Sequence, residues 1–502
     1  MSSQDLWHPV ASKRIYADRT RGSRYGKKPR FIPDETLDKP ARYRRHINGL
    51  DPHATSSGWL ILRHPIATWM TCAAIVIYAL VLYASYITVG HGLIGEIAQA
   101  TKEANGIEVV LTWDRIHEAA LTCAGYAAMT MIVLGLVLVC LDRIRPLPWT
   151  MKILSLGWGA SIAIFISLHV NTWAGELMKV EGSVDPSQGS RTAIFSAPFV
   201  EEAAKATILF LLACCIRRRI VSINQSVILA ALSGIGFAFS ENVVYYLRTF
   251  LYAATTYDAN AQEDLSAVVA LRGIATCFGH PLFTSLTAIG IAIALRNRST
   301  IVRILAPLGG YFAAVSGHMI FNGFASTGVD SVYLMIGGWI AVGILVGFLI
   351  YQRITHMRII RARLDDFVQA GWLEQRDPVV FSRYFGRWKM VAASLLRGWR
   401  SLRSTMGLQR AMTELAYVRD SELNGCLDEV AIERQRELID RIRQLRLDAI
   451  DDVRGYRMIP PIWFSWMGRQ RKRLAQWIMR RPTGNDNFSE SGKSHRSLAT
   501  MS

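Results

Sequence analysis

The chain has 502 residues, of which 51% are hydrophobic and 19% charged, and its formal net charge is +18. The hydrophobic residues are concentrated in several long apolar stretches. Such stretches are typical of a polytopic membrane protein and argue against a soluble globular chain. The positive charge does not predict a nucleic-acid partner, because most of it lies in the tails and in alternate short loops, where anionic lipid headgroups attract it.

Eight stretches are long and apolar enough to cross a bilayer, which takes about 20 residues as a helix. The chain is therefore predicted to be an all-α polytopic membrane protein. The first stretch lies too far from the N-terminus for a cleavable signal peptide. In chain order the predicted spans are 65–89, 121–141, 153–174, 193–216, 226–253, 268–295, 301–325 and 330–352.

Lys and Arg are concentrated in the N-terminal tail and in every second loop, which predicts the orientation of the spans. The basic loops carry Arg143, Arg145 and Lys152, then Arg217, Arg218 and Arg219, then Arg296, Arg298 and Arg303. The intervening loops hold few cations, and 254–267 has none. Both termini are therefore predicted to be cytoplasmic.

The composition divides the chain into four segments. Residues 1–58 are basic and read as a largely disordered cytoplasmic tail. Residues 59–352 form the membrane domain, and 483–502 form a polar, disordered tail. Residues 353–482 are predicted to be a helical, basic, cytoplasmic or membrane-surface region. Within it, aromatic and basic residues alternate over 462–481, which suits a helix lying on anionic lipid or, equally, a small helical domain.

Four polar clusters lie inside the apolar stretches, where ionisable groups are costly and usually functional. The direction predicted for each span places all four in the outer half to the middle of the bilayer. Pro281 is expected to kink the sixth span just after a histidine. The clusters are Glu201, Glu202 and Lys205; Glu241 and Asn242; His280; and His318 and Asn322.

Helical spacing predicts which of these side chains share a face. Glu201 and Lys205 are four residues apart and can form an ion pair, which would leave Glu202 free. His318 and Asn322 are also four apart, so both can point at one substrate carbonyl. A buried carboxylate can act as a base toward water, and His and Asn can stabilise an oxyanion.

The chemistry that fits these side chains is hydrolysis, with or without a metal. Glu202, His280 and His318 could alternatively bind Zn²⁺, which activates a water. The residues alone leave both the carboxylate and the zinc mechanism open.

In order along the chain, the motifs Glu201-Glu202-Ala-Ala-Lys205, Gly236-Phe-Ala-Phe-Ser-Glu241-Asn242, His280-Pro-Leu-Phe-Thr284 and His318-Met-Ile-Phe-Asn322 resemble the PrsW family. That family is similar to the wider CPBP (Abi) group of membrane proteases, which includes the type II CAAX prenyl proteases. The resemblance covers about 195–325 in its motifs.

This resemblance implies an intramembrane endopeptidase of a bacterial cytoplasmic membrane that cuts a membrane-anchored protein, such as an anti-sigma factor, near its outer face. It implies that Glu201 and Glu202 activate water, that Glu241 and His280 complete the centre, and that His318 and Asn322 orient the substrate or bind an oxyanion. The tail after residue 352 is longer than the family leads us to expect. The oligomeric state is not predicted.

Two other functions also fit buried Glu, His and Lys. The main alternative is a proton-coupled transporter or channel, although the chain shows no repeat between its halves. The other is a scaffold or sensor whose cytoplasmic region acts while the membrane core is inactive.

Overall fold

The computed structural model describes residues 65–106, 108–142, 144, 146–177, 186–215, 222–255, 260–297, 299–326, 331–423 and 429–452. These residues fall into two compact units, 65–354 and 355–452. The described residues form helices and contain no strand, as the all-α prediction requires. The predicted tails 1–58 and 483–502, and the aromatic and basic stretch 462–481, lie outside the described residues.

The helices of the first unit are α1 (Pro65–Asn105), α2 (Trp113–Leu141), α3 (Trp149–Trp158), α4 (Ile164–Leu177), α5 (Pro186–Phe195), α6 (Ala197–Cys215), α7 (Ile223–Thr255), α8 (Ala261–Val268), α9 (Gly279–Arg296), α10 (Thr300–Ser326) and α11 (Ser331–Gln369). A π-helical segment, Gly159–Ala163, joins α3 to α4, and a second, Val269–Ala275, follows α8. The last helix, α11, continues past residue 354 into the second unit.

Among the described residues, seven helical segments are long and apolar enough to cross a membrane. They correspond to seven of the eight predicted spans. The exception is the predicted span 193–216, which consists of the end of α5 and the 19 residues of α6. Three ionisable residues close together, Glu201, Glu202 and Lys205, lower the apolar character of α6. The helix that deviates from membrane composition is thus the one that carries the first polar cluster.

Helix α7 lies at the centre of this unit and packs against α2, α3, α6, α8 and α9. Glycines allow two of these contacts to be close. A Cβ atom on Gly236 would lie 2.0 Å from the Leu156 carbonyl oxygen, and one on Gly234 would lie 2.8 Å from the backbone of His280. These glycines therefore let α7 meet α3 and the beginning of α9 backbone to backbone.

The break in the sixth predicted span precedes His280 rather than following it. After the π-helical segment the helix is interrupted at residues 276–278, and α9 begins at Gly279. Pro281 therefore lies in the first turn of α9, where a helix does not need the N–H that proline lacks. The predicted kink after His280 was wrong, and His280 instead stands at a helix N-terminus.

The second unit contains the end of α11 and the helices α12 (Asp377–Phe381), α13 (Tyr384–Arg397), α14 (Trp399–Leu423) and α15 (Glu429–Arg446). Its buried apolar residues include Leu364, Phe381, Met390, Met412 and Ile439. The buried guanidinium of Arg387 donates to Thr413 Oγ1 at 2.8 Å and to the Gln409 carbonyl at 3.1 Å, which ties α13 to α14.

Candidate active site

Four helices bring the predicted polar side chains together. Helix α6 begins at Ala197, so Glu201, Glu202 and Lys205 lie in its first turns. The middle of α7 carries Glu241, the first turn of α9 carries His280, and the C-terminal half of α10 carries His318. The ring centroids of His280 and His318 lie 5.3 Å apart. The clusters, far apart in sequence, therefore form one site.

Lys205 is fully buried and holds the inner part of this site together. Its Nζ lies 2.7 Å from Glu202 Oε1 and 3.5 Å from Glu201 Oε2. It also lies 2.9 Å from Nδ1 of His280 and 4.4 Å from the centre of the Phe237 ring. One ammonium thus links two carboxylates on its own helix with an imidazole on α9.

The predicted ion pair between Glu201 and Lys205 is present, but the prediction that Glu202 is left free was wrong. Glu202 is fully buried and is the closer partner of Lys205. Its Oε2 accepts a hydrogen bond from Thr284 Oγ1 at 2.9 Å, and its Oε1 lies 3.1 Å from His318 Nδ1. Both oxygens of Glu202 are therefore engaged. Residues three and four apart on a helix are both within reach of Lys205, so the side chains of the facing helices select which glutamate is its closer partner.

Glu201 has the less engaged carboxylate. Its Oε2 is buried and makes no hydrogen bond to any described group, although Lys205 Nζ lies 3.5 Å away. The same oxygen lies 3.9 Å from Nε2 of His318. Buried polar atoms normally have a hydrogen-bond partner, so an oxygen without one, facing an imidazole nitrogen, indicates a place for a water, a substrate or an ion.

Glu241 connects His280 to an arginine that the sequence analysis did not single out. Glu241 Oε2 lies 2.8 Å from His280 Nε2 and accepts a hydrogen bond from Arg272. Arg272 Nε donates to Asn242 Oδ1 at 2.9 Å, and the guanidinium lies 3.8 Å from the centre of the Tyr245 ring. Arg272 belongs to the π-helical segment after α8, a form of helix often found at functional sites.

Asn322 lies at the edge of this arrangement. Its Nδ2 donates to the carbonyl of Ala193 in α5 at 2.8 Å, so it connects α10 to the helix before α6. The other residue of its motif, His318, is buried and stacks on Phe283, with ring centroids 5.2 Å apart. The two residues of this motif thus contact different parts of the site.

The charges of the site do not balance within the described residues. Glu201, Glu202 and Glu241 face two basic side chains, Lys205 and Arg272, each with a formal charge of +1. With neutral histidines, one formal negative charge is left over. Because an isolated charge is costly in a low-dielectric environment, a proton or a metal ion would stabilise the cluster.

Glu201, His280 and His318 could hold such an ion. One ligand atom from each residue lies within 4.8 Å of the others. Two imidazoles and one carboxylate are a donor set that zinc accepts, and the unbonded Glu201 Oε2 fits the role of a ligand. The sequence predicted Glu202 as the carboxylate ligand of such an ion. The structure favours Glu201 in that role, because both oxygens of Glu202 are already engaged.

Residues 147–351 match the family model described as PrsW family intramembrane metalloprotease. The match begins just before α3 and ends within α11, so it includes every residue of the site and leaves out α1, α2 and the second unit. No significant match is found among curated proteins or solved structures. The whole site therefore lies in a segment that is similar to the PrsW family of intramembrane metalloproteases.

Proposed function

We propose that this protein hydrolyses a peptide bond of a membrane-anchored protein near the outer face of a bacterial cytoplasmic membrane, with both of its own termini in the cytoplasm. The observation that carries the chemistry is the unbonded Glu201 Oε2 facing His318 Nε2 at 3.9 Å. The alternating basic loops support the orientation. A membrane-anchored anti-sigma factor is one substrate of this type.

Glu201 acts as the base in this proposal. A water hydrogen-bonded to both Glu201 Oε2 and His318 Nε2 would give its proton to the carboxylate as its oxygen attacks the substrate carbonyl carbon. Glu201 would then pass that proton to the nitrogen of the breaking C–N bond, so that an amine and a carboxylic acid leave the site. Positioned general bases contribute about 10²–10⁴-fold to such reactions.

The other residues position this pair. Lys205 and Thr284 fix Glu202, and Glu202 accepts from His318 Nδ1, which leaves Nε2 of that ring available for the water. The hydrogen bonds of His280 commit its Nδ1 to Lys205 and its Nε2 to Glu241. His280 thus connects Lys205 on α6 with Glu241 on α7.

Asn322 supplies a donor for the oxyanion. Its amide nitrogen carries two hydrogens, and the bond to the Ala193 carbonyl uses one of them. The second hydrogen can point at a substrate oxygen, as the helical spacing of His318 and Asn322 suggested.

A divalent metal ion is consistent with the same site. Glu201, His280 and His318 would hold the ion, and when bound it would polarise the attacking water or the substrate carbonyl. Lys205 and His280 would then have to exchange their hydrogen bond for separate partners, because a nitrogen lone pair cannot serve both an ammonium and a metal.

The test is to reconstitute the purified full-length chain with single-span peptides in H₂¹⁸O and to identify the products by mass spectrometry. Hydrolysis puts one ¹⁸O atom into the new carboxyl group. We expect Glu201→Gln and His318→Ala to lower the cleavage rate by at least about 10²-fold. Glu96→Gln, which changes a surface carboxylate paired with Arg248, is the matched control and should cleave normally.

Treatment with a chelator followed by addition of single metals separates the two mechanisms. Loss and metal-specific recovery of cleavage would support the metal site, and unchanged cleavage would support the carboxylate mechanism. Proton or substrate flux in these liposomes without any peptide cleavage would overturn the proposed function in favour of a transporter.

A further inference from the structure

Helix α13 in the second unit has apolar residues on two opposite faces. One face, with Met390 and Ala393, is buried in the core of the unit. The other face carries Phe385, Trp388 and Leu395 at three- and seven-residue spacing, and these side chains are 78%, 37% and 53% exposed. A helix that packs on a soluble core needs only one apolar face, so the second one requires a separate explanation.

Another exposed aromatic residue follows α13 directly in the chain. The chain turns at Gly398, whose φ of +121° is a conformation that glycine adopts readily, and Trp399 follows with 70% of its surface exposed. Two large exposed aromatic side chains, Phe385 and Trp399, thus lie near the beginning and just past the end of α13. Aromatic side chains of this kind are favoured at the boundary between lipid and water.

The same segment is strongly basic. From residue 378 to residue 413 the sequence has no Asp or Glu and seven Lys or Arg residues. Lys389 is exposed and lies one helical turn after Phe385, and Arg403 is exposed and lies one turn after Trp399. Phe385 and Trp399 therefore each have a cation one helical turn away. This arrangement is complementary to an anionic lipid surface.

We propose that this face, defined by Phe385, Trp388, Leu395, Trp399, Lys389 and Arg403, lies on the surface of an anionic lipid leaflet, with its aromatic side chains among the headgroups. The last candidate span, Val332–Gln369, runs into this unit, which begins at residue 355. The unit is therefore tethered through α11 to any bilayer that this span crosses. This inference is independent of the catalytic mechanism and lies outside the segment matched to the protease family.

The test places a photoreactive benzoylphenylalanine at position 385 or 399 of the full-length chain in lipid nanodiscs. These side chains are exposed, so the replacement leaves the core intact. Position 444, an exposed glutamine on α15, is the control. We expect lipid adducts by mass spectrometry at 385 and 399 and several times fewer at 444. The yield should be higher in discs that contain phosphatidylglycerol than in discs of phosphatidylcholine alone.

Charge reversal tests the electrostatic part of the proposal. We expect the combination of Lys389→Glu and Arg403→Glu to lower the adduct yield at 385 severalfold, whereas Arg443→Glu, an exposed cation on α15, should leave it unchanged. Crosslinks from 385 and 399 to a second copy of the chain, or to another part of the same chain, in place of lipid would overturn the proposal. Equal lipid labelling at 385 and 444 would also overturn it.

Discussion

The two adjacent glutamates of α6 should respond differently to the same substitution. Glu202→Gln removes the charge that lies 2.7 Å from the buried Lys205 ammonium, and leaves Glu201, at 3.5 Å, as the remaining carboxylate beside that ammonium. Removing one partner of a buried ion pair costs about 3–5 kcal/mol, because the other charge stays buried. The changed hydrogen bonds to Thr284 and His318 add about 1 kcal/mol or less each.

Glu201→Gln should cost much less stability. Its Oε2 makes no hydrogen bond to a described group, and Lys205 keeps its closer partner. We expect a loss of about 1 kcal/mol or less. Cleavage should nevertheless fall by at least about 10²-fold, because the base is gone. The prediction is thus a stable, inactive Glu201 variant and an inactive Glu202 variant that is several kcal/mol less stable.

Two assays on the same preparations measure this difference. Thermal or denaturant unfolding of the purified protein in detergent reports stability, and single-span peptide cleavage in liposomes reports activity. Glu96→Gln controls for the loss of a carboxylate on the protein surface and should change stability by about 1 kcal/mol or less. Equal destabilisation by the two site variants, or normal cleavage by Glu201→Gln, would refute the division of roles.

Three further substitutions test other parts of the site. Gly234→Ala places a Cβ atom 2.8 Å from the backbone at the start of α9 and should lower the free energy of unfolding by about 1–3 kcal/mol. The control Gly309→Ala, with no atom near its Cβ position, should not lower it. Similar Tm values for the two variants would contradict this packing. Arg272→Lys should keep the positive charge but lose the simultaneous hydrogen bonds to Glu241 and Asn242, so peptide cleavage should be slower than in the unsubstituted protein. Full activity of Arg272→Lys would mean that charge alone matters. Lys205→Met should free Nδ1 of His280 and raise the affinity for zinc by about tenfold or more, measured as bound metal after dialysis. Unchanged or lower metal content would show that Lys205 does not compete with a metal.

The sequence was sufficient to predict the helical membrane fold and the residues that meet in the site, because buried charges in apolar spans are rare and each indicates an inward-facing position. It was not sufficient to pair them. Whether Lys205 lies closer to Glu201 or to Glu202 depends on the side chains that α9 and α10 present, and no spacing within α6 contains that information. Arg272 was missed for a different reason. It is an ionisable residue within the predicted span 268–295, so the rule that identified the glutamates would have identified it too.

The site also explains how α6 could form the membrane span that the sequence predicts over 193–216. Its three ionisable residues make it the one predicted span that falls outside the candidate spans in the described part of the chain. Lys205 offsets the charge of Glu202 from within α6, but the remaining partners come from other helices, through Thr284 and His280 on α9 and His318 on α10. In lipid, α6 alone would expose these groups at a cost of several kcal/mol. Stable insertion of α6 and assembly of the active site are therefore coupled, and a protein in which α9 or α10 is displaced should lose both together.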